Sequence, residues 1–477
     1  MEIVALACGW ALPWMLGAAL VRAVAPDGVP RESPGTVAWA IGCGWFLGAF
    51  LLTLWMRALS AAGVKFGVVV IAAPLAVVAA LAGWLAWRRT GWALGPSLRA
   101  SGRVLAGSAL HGWTRAAWRA LLAWLTFRLA LLLYETLSRP LFAWDTWAHW
   151  ATKARVWFEL QAIVPFVATS EWFDLAGAAY TDFNPHYPGT IPLLQVWGAT
   201  VLGRWDDVLV NLPWWLTGVA LALAIYGFLA QRGLHPLWAL VGAWLVVSLP
   251  ILDVHIALAG YADLPMAAYL TLAVLAGWRW TEQRQPGDAA LALLFGVACV
   301  LIKNPGKVWI LVLLPGAVAA LMPRHGLRIA LAGLAAVIAA LLILARLDVV
   351  VLGYRLHLDL AVPWGGLIDA YLLYANWHLL WYGAIAAAVV GWRHLLTREQ
   401  APLTLVVLAG LLFLFFGFAF TNAKLWVEDQ STVNRATLHL APLVVVWMLL
   451  AFHAWMARLT PAAPEPVAQE QEAAASV

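Results

Sequence analysis

The run AAWRALLAWLTFRLALLLYETL (116–137) leads, within a few residues, into FAWDTWAHWATKARVWFE (142–159). The first stretch is close to the ~20 apolar residues with which an α-helix crosses ~30 Å of hydrocarbon. The second sets Asp145, His149, Lys153, Arg155 and Glu159 among Trp144, Trp147, Trp150 and Trp157. Runs like the first recur from one end of the chain to the other. The second is a chemically dense stretch placed where a membrane helix ends.

Of the 477 residues, 64% are hydrophobic and only 11% are charged, too few charges for a soluble chain of this length. A backbone in lipid must satisfy its own hydrogen bonds, and the Leu/Ala/Val content suits helices rather than barrel strands. The expectation is an all-α polytopic membrane protein with about 13 transmembrane helices. They fall at 3–24, 37–60, 65–87, 116–137, 208–231, 236–252, 265–281, 289–302, 307–322, 329–347, 377–392, 402–420 and 436–457. Ile3–Val24 lacks a basic leader and contains Pro13, so it reads as a first span rather than a signal peptide. The shorter segment 190–203 reads as a helix lying at, or dipping into, the membrane. Three parts follow: a three-span extension with a basic loop (1–115), a catalytic module (116–457) with an outer loop at 138–190, and a disordered tail (458–477).

Cys8, Cys43 and Cys299 lie in apolar runs and read as packing residues. Gly44 and Gly48 form a small-xxx-small pair that serves packing within one chain or between two. The net charge of +5 reflects basic loops and gives no reason to expect nucleic acid. Most of the 32 tryptophans fit interfacial belts; a few could line a sugar-binding cleft.

Orientation comes from the loops. The 88–119 segment carries Arg88, Arg89, Arg99, Arg103, Arg115 and Arg119 and no acid, which places it in the cytoplasm. Alternation then gathers the acids on the other side, read as the periplasmic or extracellular face of the cytoplasmic (inner) membrane.

Five stretches on that face carry chemistry. On a helix, Asp145, His149 and Lys153 are spaced i, i+4, i+8 and share a face, with Trp147, Trp150 and Trp157 as a separate stripe. The reading is a polar face toward an aqueous cleft and an aromatic face in the interface; a plain interfacial helix with solvated charges is the alternative. TDFNPHYPGTIPLL (181–194) supplies Asp182, His186 and Tyr187. LDVHIALAGYADLPMAAY (252–269) supplies Asp263, which could equally be a helix cap. CVLIKNPGKVWILVLLP (299–315) places Lys303 and Lys307 beside Asn304-Pro305-Gly306, an anion site at a helix start unless the lysines merely snorkel. STVNRATLHLAPLVVVW (431–447) places Arg435 and His439 at the mouth of the last span. Arg355 and His357 are weaker candidates. Asp145, His149, Asp182 and His186 could hold a divalent cation, although no ligand spacing demands a metal.

In their order along the chain, FAWDTWAHW, PHYPGTIPLL, YADLPMAAYL, LIKNPGKV and NRATLHLAP resemble the motifs of the GT-C superfamily of polyprenyl-phosphate-sugar-dependent glycosyltransferases. The nearest branch is glycosyltransferase family 39-like: the protein O-mannosyltransferases and lipid A aminoarabinose transferases. The resemblance covers 116–457. It implies inverting transfer of a monosaccharide from a polyprenyl-phosphate donor to an extracytoplasmic acceptor, with no required cofactor. Asp145 and Asp263 would be the catalytic carboxylates, with Asp145 as base. Lys303, Arg435 and Lys307 would bind the donor phosphate, and His149, Lys153, His186, Tyr187 and His439 the substrates. Two other activities remain open: an envelope ligase or polymerase using a lipid-diphosphate donor, and a transporter. For the transporter, Arg128 with Glu135 on the same helix face is the pointer.

Overall fold

The computed structural model describes residues 2–24, 35–90, 94–175, 177–351, 354–357 and 362–459. The expected disordered tail lies, from Thr460 on, outside the described residues. The protein is an all-α membrane protein. Among the described residues, eight helices are long and apolar enough to cross a bilayer: Glu2–Ala23, Gly35–Ala61, Val68–Arg89, Gly112–Ser138, Leu209–Gln231, Gly326–Arg346, Ala401–Phe420 and Ala441–Leu459. A ninth span forms if Pro236–Val247 and Pro250–Ala257, bent by 63°, are counted as one. The bend falls where Pro250 lacks an N–H and blocks continuation of the preceding helix.

The other four expected spans are helical but fall short. Pro286–Ile302 has 17 residues and Leu380–Leu395 has 16. The 307–322 segment divides into Gly306–Val312 and Leu314–Leu321, where Pro315 begins a new helix. Asp263–Gln283 is long enough but carries Asp263 at one end and Arg279 and Glu282 at the other.

Close packing at the start of the chain depends on glycine. A Cβ on Gly48 would collide with the Pro13 carbonyl, and one on Gly17 with the Gly44 carbonyl. The Gly44/Gly48 pair therefore packs two helices of the same chain. The Thr190–Leu202 helix, expected at or dipping into the membrane, is a well-packed part of the bundle. It is buried from Thr190 to Ala199 and packs on Glu2–Ala23, Gly35–Ala61 and Ala151–Leu160. The Trp197 indole N–H donates to the Gly9 carbonyl at 3.1 Å. Arg128 pairs with Asp253 of the bent helix rather than with Glu135, whose partner is Arg139 at 2.7 Å.

The described residues of the 138–190 loop pack against the end of the Gly35–Ala61 helix. Lys65 Nζ donates to the Leu160 carbonyl at 2.7 Å, and the Ile163 N–H donates to Ser60 Oγ at 2.9 Å. Two short sheets lie in the loops: Phe166–Val167 parallel to Tyr180–Thr181, and Val349–Val351 antiparallel to Tyr354–Leu356. The loop and the ends of several helices meet at one end of the bundle.

Candidate functional site

Asp263 opens its helix and is 1% exposed. It is the hub of a charged cluster. Lys303 Nζ donates to its Oδ1 at 2.6 Å. Arg435 grips its Oδ2 through Nε at 2.9 Å and Nη2 at 2.7 Å. His439 Nε2 meets Oδ1 at 2.9 Å, and His255 Nε2 stands 3.9 Å from Oδ2. Arg435 also bonds Asp145, through Nη2 and, at 3.4 Å, through Nη1. One guanidinium thus bridges two carboxylates.

Local structure explains how each group arrives. Lys303 follows the Pro286–Ile302 helix in extended conformation, φ −150° and ψ 145°, so its side chain leaves the helix end. The next helix can start at once because Gly306 lies against the Cys299 carbonyl, where a Cβ would collide. Asp145 is brought in by its neighbour: Thr146 Oγ1 donates to the Ala259 carbonyl at 3.2 Å. That approach needs Gly260, whose φ of +114° and contact with Thr146 both exclude a side chain.

The tautomer of neutral His439 is fixed. The Trp309 indole, a donor only, gives its N–H to His439 Nδ1 at 3.0 Å. Nδ1 is therefore the acceptor, and Nε2–H donates to Asp263. Arg435 also lies over the Tyr261 ring at 4.4 Å. Burial works against the Arg435 charge, but Asp263 and Asp145 outweigh it and raise the pKa above its ordinary value.

Above this floor sits the loop. Thr146–Trp150 forms a π-helical turn before the Ala151–Leu160 helix, so the simple i, i+4 reading of this stretch does not hold. Lys153 and His149 do not look into an aqueous cleft; each is 2% exposed. Lys153 Nζ is 2.9 Å from Asp182 and donates to the Asn184 carbonyl at 2.7 Å, clamping the 180–188 segment down. Burial lowers the Lys153 pKa and raises that of Asp182, in each case despite the partner. Tyr187 stacks on Trp150 with centroids 5.1 Å apart. His149 stands edge-on to both rings, and neither of its nitrogens has a hydrogen-bond partner. Burial lowers its pKa to about 4.

Of the residues expected from the sequence, Asp145, Asp263, Lys303, Arg435 and His439 are brought into direct contact. His149, Lys153 and Tyr187 form the adjoining layer. His186 and Lys307 are exposed and stand outside the contacts of the cluster. The aromatic stripe is split, with Trp150 and Trp157 buried and Trp147 exposed beside Trp144. Arg355 pairs with Asp348 at the surface. Asp145, His149, Asp182 and His186 do not converge, and among the described residues no group of three or more His, Cys, Asp or Glu is placed to hold a metal ion. The sequence reading missed His255, Tyr261 and Trp309. The first two lie within the quoted 252–269 stretch and the third within 299–315, so proximity to Asp263 and Lys303 was the available signal.

No family model, curated protein or solved structure matches the chain.

Proposed function

We propose that this protein is a membrane glycosyltransferase moving a monosaccharide from a polyprenyl-phosphate donor to an acceptor outside the cytoplasm, with its site facing the outer side of the inner membrane. The observation that carries the reading is Arg435 held between Asp145 and Asp263, with Lys303 on the same hub. A base and two phosphate-binding cations sit together where apolar helices end. An amphiphile with its chain in lipid and a phosphate at the membrane surface would meet them there.

The chemistry divides by exposure. Asp263 is saturated by donors and orients the cations. Asp145 is 9% exposed and, among the cations of the described residues, pairs with Arg435 alone. In the proposed reaction the donor phosphate takes the place of Asp145 on Arg435. The freed carboxylate accepts the proton as the acceptor hydroxyl oxygen bonds to the anomeric carbon. The C1–O bond to phosphate breaks on the opposite face, and polyprenyl phosphate leaves with both bonding electrons, its charge met by Arg435 and Lys303. Inversion follows from this single displacement.

The test uses the purified full chain in lipid with a panel of polyprenyl-phosphate sugars and an envelope extract, following polyprenyl phosphate release by mass. Wild type is expected to release it, and Asp145→Asn to fall by at least about 100-fold. No release with any donor by folded wild type overturns the reading in favour of a diphosphate-donor ligase or a transporter. Equal release by Asp145→Asn overturns the base assignment.

A further inference from the structure

The other end of the bundle holds a cleft of about 730 Å³. Its wall includes Arg232, Glu282, Arg284, Arg398, Glu399 and His453, above an apolar floor containing Ala319, Ala320 and Leu450. Its level relative to the membrane can be counted. The Asp263–Gln283 helix starts in the charged cluster and ends at this cleft. Its 21 residues rise about 30 Å, the thickness of a hydrocarbon core. The Ala441–Leu459 helix, starting just after His439, brings Leu450 and His453 to the same cleft. The cleft therefore opens toward the side of the bundle opposite the cluster.

Its charges are not balanced. Glu282 is taken by Arg232 at 2.8 Å, and that guanidinium is fixed over the Trp278 ring at 4.0 Å. Among the described residues lining the cleft, Arg284, which lies over the Trp280 ring at 5.5 Å, and Arg398 leave Glu399 as the one further acid, and all three side chains are exposed. Arg284 holds a left-handed helix cap at φ 54°, a conformation that glycine adopts with less strain, so a long cation stands there against local preference. The start of the 20-residue Ala401–Phe420 helix, at Gln400 and Pro402, opens on the same cleft and adds its positive end.

A surplus of arginine over an apolar floor, at the end of the bundle away from the cluster, matches an anionic amphiphile. We propose that this cleft binds the phosphate headgroup of an anionic phospholipid in the leaflet opposite the charged cluster, with the acyl chains on the Ala319, Ala320 and Leu450 side. The proposal does not depend on the glycosyltransferase reading.

Native mass spectrometry of the purified chain in neutral detergent tests it, with phosphatidylglycerol and phosphatidylcholine as probes. Wild type is expected to retain phosphatidylglycerol in preference to phosphatidylcholine. Arg284→Gln with Arg398→Gln is expected to weaken that retention by about 25-fold, five-fold for each surface cation removed. Inorganic phosphate in excess is expected not to displace the lipid. If the double variant does not fold, Arg398→Gln alone is expected to lose about five-fold. Unchanged retention in the variants, or equal retention of the two lipids, overturns the site. Displacement by inorganic phosphate overturns the lipid assignment and makes the ligand a soluble phosphate compound.

Discussion

Arg435 bonds two carboxylates whose surroundings differ. Asp263, in the floor of the cluster, also takes Lys303 and His439 and is closed off from solvent. Asp145, in the loop above it, is an edge member. The same contrast separates two buried histidines. His439 has both ring nitrogens engaged, by Trp309 and by Asp263. His149, in the loop layer, has neither engaged. Unpaired buried polar groups cost free energy, and His255 in the floor carries one as well: its Nδ1 meets the Ile251 carbonyl at 2.7 Å and its Nε2 has no hydrogen bond. The contrast is therefore sharpest between the two carboxylates: in the proposed reaction Asp263 holds the cations and Asp145 is exchanged.

The largest effect expected from this contrast is on stability. Asp263→Asn leaves Lys303 and Arg435 buried with too little negative charge, and should cost about 3–5 kcal/mol in thermal or denaturant unfolding of the protein in lipid. Asp145→Asn should change stability by less than about 1 kcal/mol, because Arg435 keeps Asp263. Equal losses in the two variants would break the distinction between floor and loop. Lys153→Met comes next. It strands Asp182 and should destabilise the protein by about 3 kcal/mol, while adding Asp182→Leu should restore most of the loss. A double variant no better than the single one would mean that the pair does more than clamp the 180–188 segment.

A smaller effect belongs to the indole. Trp309→Phe keeps the ring packing but removes the N–H that sets the His439 tautomer. A cost of about 1–2 kcal/mol is expected. In the proposed reaction it should lower turnover without weakening donor binding, because neither Lys303 nor Arg435 loses a bond. A rise in donor Kd with turnover unchanged would place His439 on the donor instead.

Much of the cluster was readable from sequence because each member is a polar residue at the end of an apolar run. Asp145, Lys303 and Arg435 needed only that observation. Their pairing was not readable. Nothing local to Arg435 says that it meets carboxylates 172 and 290 positions away. Spacing misled where the backbone left the α-helix, as in the π-helical turn at Thr146–Trp150. Hydropathy could not give the packing of Thr190–Leu202, because a helix buried in protein and one facing lipid are both apolar. It also could not show where Pro315 restarts a helix, since a proline divides an apolar run without changing its composition.

The last expected effect, absent at neutral pH, is the titration of His149. The ordinary imidazole value is 6.5, and burial holds His149 at about 4. Between these values the unfolded chain binds a proton at this position and the folded chain does not. Stability therefore falls as pH drops through that window and is unaffected by His149 above it. His149→Gln removes the titration, so its stability should decline less than that of wild type between pH 6.5 and 4 and run parallel to it at neutral pH. Unfolding followed at several pH values for the two proteins gives the difference directly, because slopes from carboxylates elsewhere are common to both. Parallel curves throughout would mean that His149 is already charged or partnered in the folded protein. His149 would then be no less engaged than His439.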